Sequence, residues 1–146
     1  MFANNYTLKE IFIGKGDHDA DMLTLLNNFC LEKKIVTGMV SAVGAVKNIR
    51  LGYYRQDLQQ YVTFGESLSE NGGFEIVHCA GNVSLKDDKP FCHLHVTVSD
   101  RKGHCFGGHL MPGVKIYALE FVIHSYEGPE LRRGTDAVTG LPLWMG

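Results

Sequence analysis

Along most of this chain apolar and polar residues alternate with the two-residue period of half-buried strands, and one stretch switches to the period of a helix. In that stretch Met22, Leu25, Leu26, Phe29 and Cys30 follow i, i+3, i+4, i+7, i+8 spacing, which gathers them on one face. Asp17, Asp19 and Asp21 precede it, where unpaired amide groups favour negative charge, and Lys33 and Lys34 fall where the opposite end of the dipole favours positive charge. The spacing predicts a helix over about Asp19–Lys33. Strands are predicted at Thr7–Ile13, Ile35–Val46, Asn48–Tyr54, Gln60–Phe64, Phe74–Leu85, Phe91–Ser99, His104–Leu110 and Val114–Tyr126. Turn chemistry separates several of them: Asn71-Gly72-Gly73, Lys86-Asp87-Asp88-Lys89-Pro90, Asp100-Arg101-Lys102-Gly103 and Pro112-Gly113. One helix followed by many short strands reads as α+β, with a mainly antiparallel, curved sheet. From Glu127 the pattern fades, leaving Leu141, Leu143 and Trp144 to dock on the core or on a partner chain.

The most informative stretch is FCHLHVTVSDRKGHCFGGH, Phe91 to His109. On a strand, His93 and His95 share a face with Phe91, Thr97 and Ser99, while Cys92, Leu94, Val96 and Val98 form the opposite, apolar face. If Ser99 pairs with Gly103, His93 lies opposite His109 and His95 opposite Gly107, with directly opposed Cβ atoms roughly 4.5–5.5 Å apart. Gly107 and Gly108 then leave the patch uncrowded. A slip of one residue would send His109 to the other face. An isolated HxH reads as a polar strand face. A third histidine at cross-strand register makes His93, His95 and His109 a metal trio suited to Zn²⁺ or another divalent transition metal. Three protein ligands with an open position is the catalytic or ligand-binding arrangement; no fourth ligand is evident, since Cys105 lies too far along the strand and His104 has the wrong parity.

Length and composition narrow the rest. A chain of 146 residues, 45% hydrophobic and 21% charged, suits one folded domain spanning 1–146, with a core over about 8–126 and a tail over 127–146. Fourteen basic residues against sixteen acidic give a net charge of -2, which argues against a whole-surface nucleic-acid binder and leaves room for a local basic patch. Met1–Glu10 does not read as a signal peptide, and no apolar run approaches the ~20 residues of a membrane span. Four cysteines without a CxxC pair read as reduced thiols, so a cytoplasmic protein with no membrane partner is expected.

SAVGAVKNIRLGYY, followed by FEIVHCAGNVSLKDDKPFCHLHVTVSDRKGHCFGGHLMPGVKIYALEFVI, resembles the PPC ("plants and prokaryotes conserved") domain in its stand-alone prokaryotic form. The GN-x-SL, HLH, SD-x-x-G and GGHL elements carry the resemblance in order from about Leu8 to His124, and TGLPL near Thr139–Leu143 extends it. It implies a sheet of about seven strands packed with one principal helix, assembled as a homotrimer. It implies an HxH…H set, falling here on His93, His95 and His109, and a fold like that of acetolactate decarboxylase, whose metal is held by three histidines. Plant members follow AT-hook motifs, so the resemblance also implies DNA as a partner. This chain has no Arg-Gly-Arg-Pro core; Arg132-Arg133-Gly134 comes nearest and reads as a solvated tail feature.

Glu120, inside the apolar run Ile116–Ile123, is a candidate acid or base if buried, and an outward or paired residue otherwise; Glu75 is a weaker candidate of the same kind. His78 and His124 read as structural and His18 as exposed. Gly38, Gly44 and Gly52 suggest close packing or bulges. No phosphate-loop motif is present. The expected function is a metal-binding, DNA-associated or regulatory module. The alternative is a zinc-dependent lyase or hydrolase acting on a small oxygenated substrate, with Glu120 or Glu75 moving a proton.

Overall fold

The computed structural model describes residues 1–65 and 72–145. Asn71, the first residue of one predicted turn, lies outside them. The helix α1 runs Met22–Glu32, shorter than predicted at its start. Asp21 is its cap: the backbone there is extended, and the carboxylate accepts from Thr24 N at 2.9 Å and from the amide of Gly113. Lys33 caps the other end, and Lys34, with φ 55°, turns the chain left-handed, so both lysines lie just past the helix. Met22, Leu23, Leu26 and Cys30 are buried, and Leu25 and Phe29 pack at the margin of the same core. Burying a side chain such as Leu26 fully contributes about 1.5–3 kcal/mol.

The strands are β1 Thr7–Gly16, β2 Gly38–Val46, β3 Leu51–Arg55, β4 Gln60–Phe64, β5 Phe74–Lys86, β6 Lys89–Ser99, β7 Cys105–Leu110, β8 Ile116–Glu127, β9 Arg133–Thr135 and β10 Pro142–Trp144. The first eight form one antiparallel sheet in the order β1-β8-β2-β5-β6-β7-β3-β4, one strand more than the resemblance implies. β9 and β10 pair as a separate two-stranded ribbon in the tail. Bulges bend the sheet. At the bulge in β2, Gly44 has φ 141°, and a Cβ there would come within 2.2 Å of Ala118 O.

The helix covers one face. Cys92, Leu94, Val96 and Val98 of β6 point into that core with Val40, Ala42, Phe121 and Ile123. Asn27 Oδ1 accepts the Cys92 amide at 2.8 Å, satisfying a donor on the part of β6 that has no β7 partner. The other face carries no helix. Rows of paired residues cross it: Ile11, His124, Met39, Asn82, His93; and next to it Ile13, Val122, Ser41, Ala80, His95, His109. The histidines therefore stand on the face opposite the helix, as strand parity predicts. No helix among the described residues is long and apolar enough to cross a membrane.

Two hairpins place β6. Asp87 and Asp88, at φ 52° and 59°, make the two-residue turn from β5, matching the twist of the strands they join. The turn to β7 differs from expectation. Ser99 pairs with Cys105, not Gly103, so His95 faces His109 and Gly107 faces Thr97. The reason is Asp100, whose Oδ1 accepts the amides of Lys102 and His104 at 2.7 and 2.9 Å and so closes a longer loop. The shift is two residues, which keeps every side chain on its predicted face.

Asp21→Ala is expected to cost about 1–2 kcal/mol at neutral pH, by urea unfolding, through the lost cap and the lost Gly113 bond. Burial raises the Asp21 pKa, but its hydrogen bonds from Thr24 and Gly113 outweigh that and hold it below the ordinary aspartate range. A depressed carboxylate stabilises the fold above its unfolded pKa, and that contribution is lost as pH falls through the folded value. The gap between Asp21→Ala and wild type should therefore close in acid; a gap unchanged at all pH values would contradict this role.

Candidate metal centre

His93 and His95 project from β6 and His109 from β7, directly opposite His95. Ring centroids lie 4.9 Å apart for His93–His109, 5.2 Å for His93–His95 and 5.5 Å for His95–His109. One nitrogen from each can be chosen so that all three lie within 4.8 Å of one another. The close approach beneath them depends on Gly81 of β5, where a Cβ would come within 1.9 Å of His93 O.

His95 is exposed; His93 and His109 are partly buried. Tyr61 of β4 covers His109, with ring centroids 5.0 Å apart. His109 Nδ1 is buried and has no hydrogen-bond partner among the described residues. Burial, then the charge of Arg133 and the neighbouring His95, push the His93 pKa down to about 4. Burial, then His93, His95 and Arg133, push His109 down to about 4. Both rings are thus neutral at pH 7, which is the ligating form. Three convergent imidazoles, two held unprotonated and one with an orphaned buried nitrogen, fit a divalent metal that prefers nitrogen donors.

The tail supplies what the sequence did not show. Arg133 of β9, read as a solvated residue, turns inward. It donates to Ser84 Oγ at 2.7 Å, Asn82 Oδ1 at 2.7 Å and Pro142 O at 2.8 Å, and Nη2 lies 3.5 Å from His93 Nδ1. Its guanidinium carbon rests 5.4 Å from the Phe91 ring centre and 5.7 Å from that of Trp144. The apolar residues of Pro142-Leu143-Trp144 were the available signal that the tail docks on the chain.

The carboxylates stay apart from the histidines. Glu120 is exposed and pairs with Lys15 and Val43 on β8, three strands from β6, roughly 14 Å by strand spacing. Glu75 is exposed and pairs with Ser99, four residues from His95, roughly 13 Å along the strand. The other histidines stay outside the trio: His18 Nδ1 bonds Tyr117 O at 2.8 Å, His104 Nδ1 lies 2.9 Å from Asp100 Oδ2, His124 pairs with Ile11 and Met39, and His78 with Thr97. The thiols are free; Cys30, Cys79 and Cys92 are buried, with Cys30 and Cys92 sulfurs 3.8 Å apart, and Cys105 is exposed.

Residues 4–127 match the Plants and Prokaryotes Conserved (PCC) domain, the PPC domain whose motifs the sequence resembles. The chain belongs to this family. Among solved structures, a metal-containing protein of Archaeoglobus fulgidus superposes with a TM-score of 0.92 at 35% identity over 100% of both chains. A PPC protein of Pyrococcus horikoshii gives 0.89 at 29% identity, over 100% of this chain and 98% of its own. A protein of Bacteroides thetaiotaomicron, described as a candidate DNA-binding protein, gives 0.78 at 26% identity, over 97% and 98%. The PPC chain is also 34% identical over 123 residues to the bifunctional protein GlmU of a Synechococcus strain, but spans only 17% of that protein's length.

In metal-free protein, proton NMR titration should show His93 and His109 of this PPC domain protonating near pH 4. Both values are depressed, so the fold should lose stability as pH drops from about 6.5, where the unfolded rings protonate, through about 4. Midpoints near 6.5 for both rings would contradict the buried, cation-flanked site.

Proposed function

We propose that this PPC-domain protein is a binding or regulatory module that holds a divalent transition metal, zinc first, on His93, His95 and His109, and that it works as a homotrimer. The buried, unpartnered His109 Nδ1 beside two further imidazoles carries the reading. The likeness to a metal-containing protein supports it. Bound there, the metal would polarise an oxygen of a ligand or lower the pKa of bound water. The chain's own residues would orient the rings through Tyr61 and Arg133 and keep them unprotonated. Assembly is supported by the uncovered sheet face, where Ile11, Ile13, Met39 and Val43 are exposed together, an apolar surface that a second and third copy would bury.

DNA association rests on the description of the Bacteroides neighbour. The tail arginines are committed elsewhere: Arg132 pairs with Asp88 and Glu130, and Arg133 is turned inward. A duplex would have to meet a surface built by assembly. The second reading, a zinc-dependent lyase or hydrolase of a small oxygenated substrate, is favoured by a cavity of ≈ 270 Å³ bordered by His93 and His109. In that reading the proton-moving carboxylate, Glu120 or Glu75, comes from a neighbouring copy.

Elemental analysis of purified protein should give one zinc or other divalent ion per chain, lost in the double variant His93→Ala/His95→Ala. Full metal content in that variant would place the ion elsewhere. For DNA, filter binding to an A·T-rich duplex should be measurable at low salt and fall steeply as salt rises, by counterion release; no retention at low salt would remove DNA from the account.

A further inference from the structure

Among the described residues, Arg133 has no carboxylate partner. A guanidinium has five N–H donors and no acceptor. The partners found for it among the described residues are a hydroxyl, a carbonyl, an amide oxygen and a neutral imidazole. Its neighbour Arg132 shows the contrast, being paired with two carboxylates. A partly buried cation held only by neutral groups loses hydration without gaining an opposite charge. Phe91 and Trp144 flank it, so it is oriented in advance for an anion that none of the described residues supplies.

The space for that anion adjoins it. Beyond His109, β7 departs from β6, and the gap opens into the ≈ 270 Å³ cavity. Its polar lining is Arg133, Lys86 and Tyr61 together with His93 and His109; no Asp or Glu is among the residues that line it. Lys86 Nζ lies over the Phe91 ring, 5.2 Å from its centre. The rest of the wall is apolar, with Phe91, Leu110 and Leu143 among it. The volume falls just short of the ~300–1,000 Å³ that drug-sized ligands occupy.

We infer that this cavity binds a small monocarboxylate, its carboxylate between Arg133 and Lys86 and its short hydrocarbon body against Phe91, Leu110 and Leu143. The apolar wall selects a carboxylic acid with a hydrocarbon body over inorganic phosphate. The inference deepens the proposed function, because a metal on the trio would add positive charge at the same place. It does not require that metal, since both cations belong to the chain.

The test is calorimetric titration of 3-methylbutanoate into the full chain, metal-free and zinc-loaded, with the neutral 3-methylbutanamide and inorganic phosphate as comparators. The carboxylate should bind the metal-free protein, and the amide and phosphate roughly tenfold more weakly or not at all. Lys86→Met should weaken the carboxylate about fivefold at an unchanged melting temperature. Arg133→Met should abolish binding; if that variant does not fold, Lys86→Met carries the test. Equal affinity for carboxylate and amide, tighter binding of phosphate, no binding of the carboxylate, or no effect of Lys86→Met would each overturn the inference. Carboxylate binding by a protein that takes up neither zinc nor another divalent transition metal would sink the metal reading alone. Zinc uptake without discrimination between carboxylate and amide would sink this one alone.

Discussion

The pairing of β6 with β7 is the constraint on which the rest of this structure depends. A strand has a period of two, so a single register fixes which residues face the helix and which face outward. With His95 opposite His109, Leu94, Val96 and Val98 seal the helix-side core, and the three imidazoles meet on the uncovered face. A slip of β7 by one residue would turn the His109 imidazole toward the helix side and expose Leu110, which is buried. The register is defended from both ends: Asp100 closes the β6–β7 loop, and the Asp87-Asp88 turn fixes β6 against β5. Core packing and the histidine cluster are therefore consequences of the same choice.

The environment of the cluster explains its chemistry. Tyr61 reaches in from the β3–β4 hairpin and Arg133 from the tail ribbon, so elements far apart in sequence close around rings that β6 and β7 only position. Burial and the nearby cation act in the same direction on His93 and His109, disfavouring the imidazolium and leaving lone pairs free at neutral pH. A site built to hold protonated histidines would place a carboxylate beside them. Here Glu120 and Glu75 stand at other strands or strand ends, and the charged side chain against His93 is Arg133. Positive charge that the described residues leave uncompensated links the metal reading to the anion inferred for the adjoining cavity.

What the sequence disclosed follows from how local each signal is. Met22, Leu26 and Cys30 declared the helix because their spacing needs no knowledge of the sheet. HLH declared the face of β6 because parity is a property of one strand. The exact partner of His109 was misjudged by two residues because Asp100 side-chain bonding, not residue count, sets the loop length, and parity alone rescued the convergence. The sequence makes Arg133 look solvated because three-residue strands carry no periodicity, and an Arg-Arg pair in a Gly- and Pro-bearing tail resembles a surface feature. Glu120 looked ambiguous because its neighbours Leu119 and Phe121 are buried; strand alternation puts the glutamate outside.

The proposed site holds one divalent metal on His93, His95 and His109 together. Anomalous diffraction at the zinc edge, from crystals grown with zinc, tests it most directly. A single strong peak per chain is expected, enclosed by the three imidazoles, with Arg133 still on His93 and Tyr61 still over His109. A peak held by other residues, or the three rings in place around no anomalous density, would contradict it.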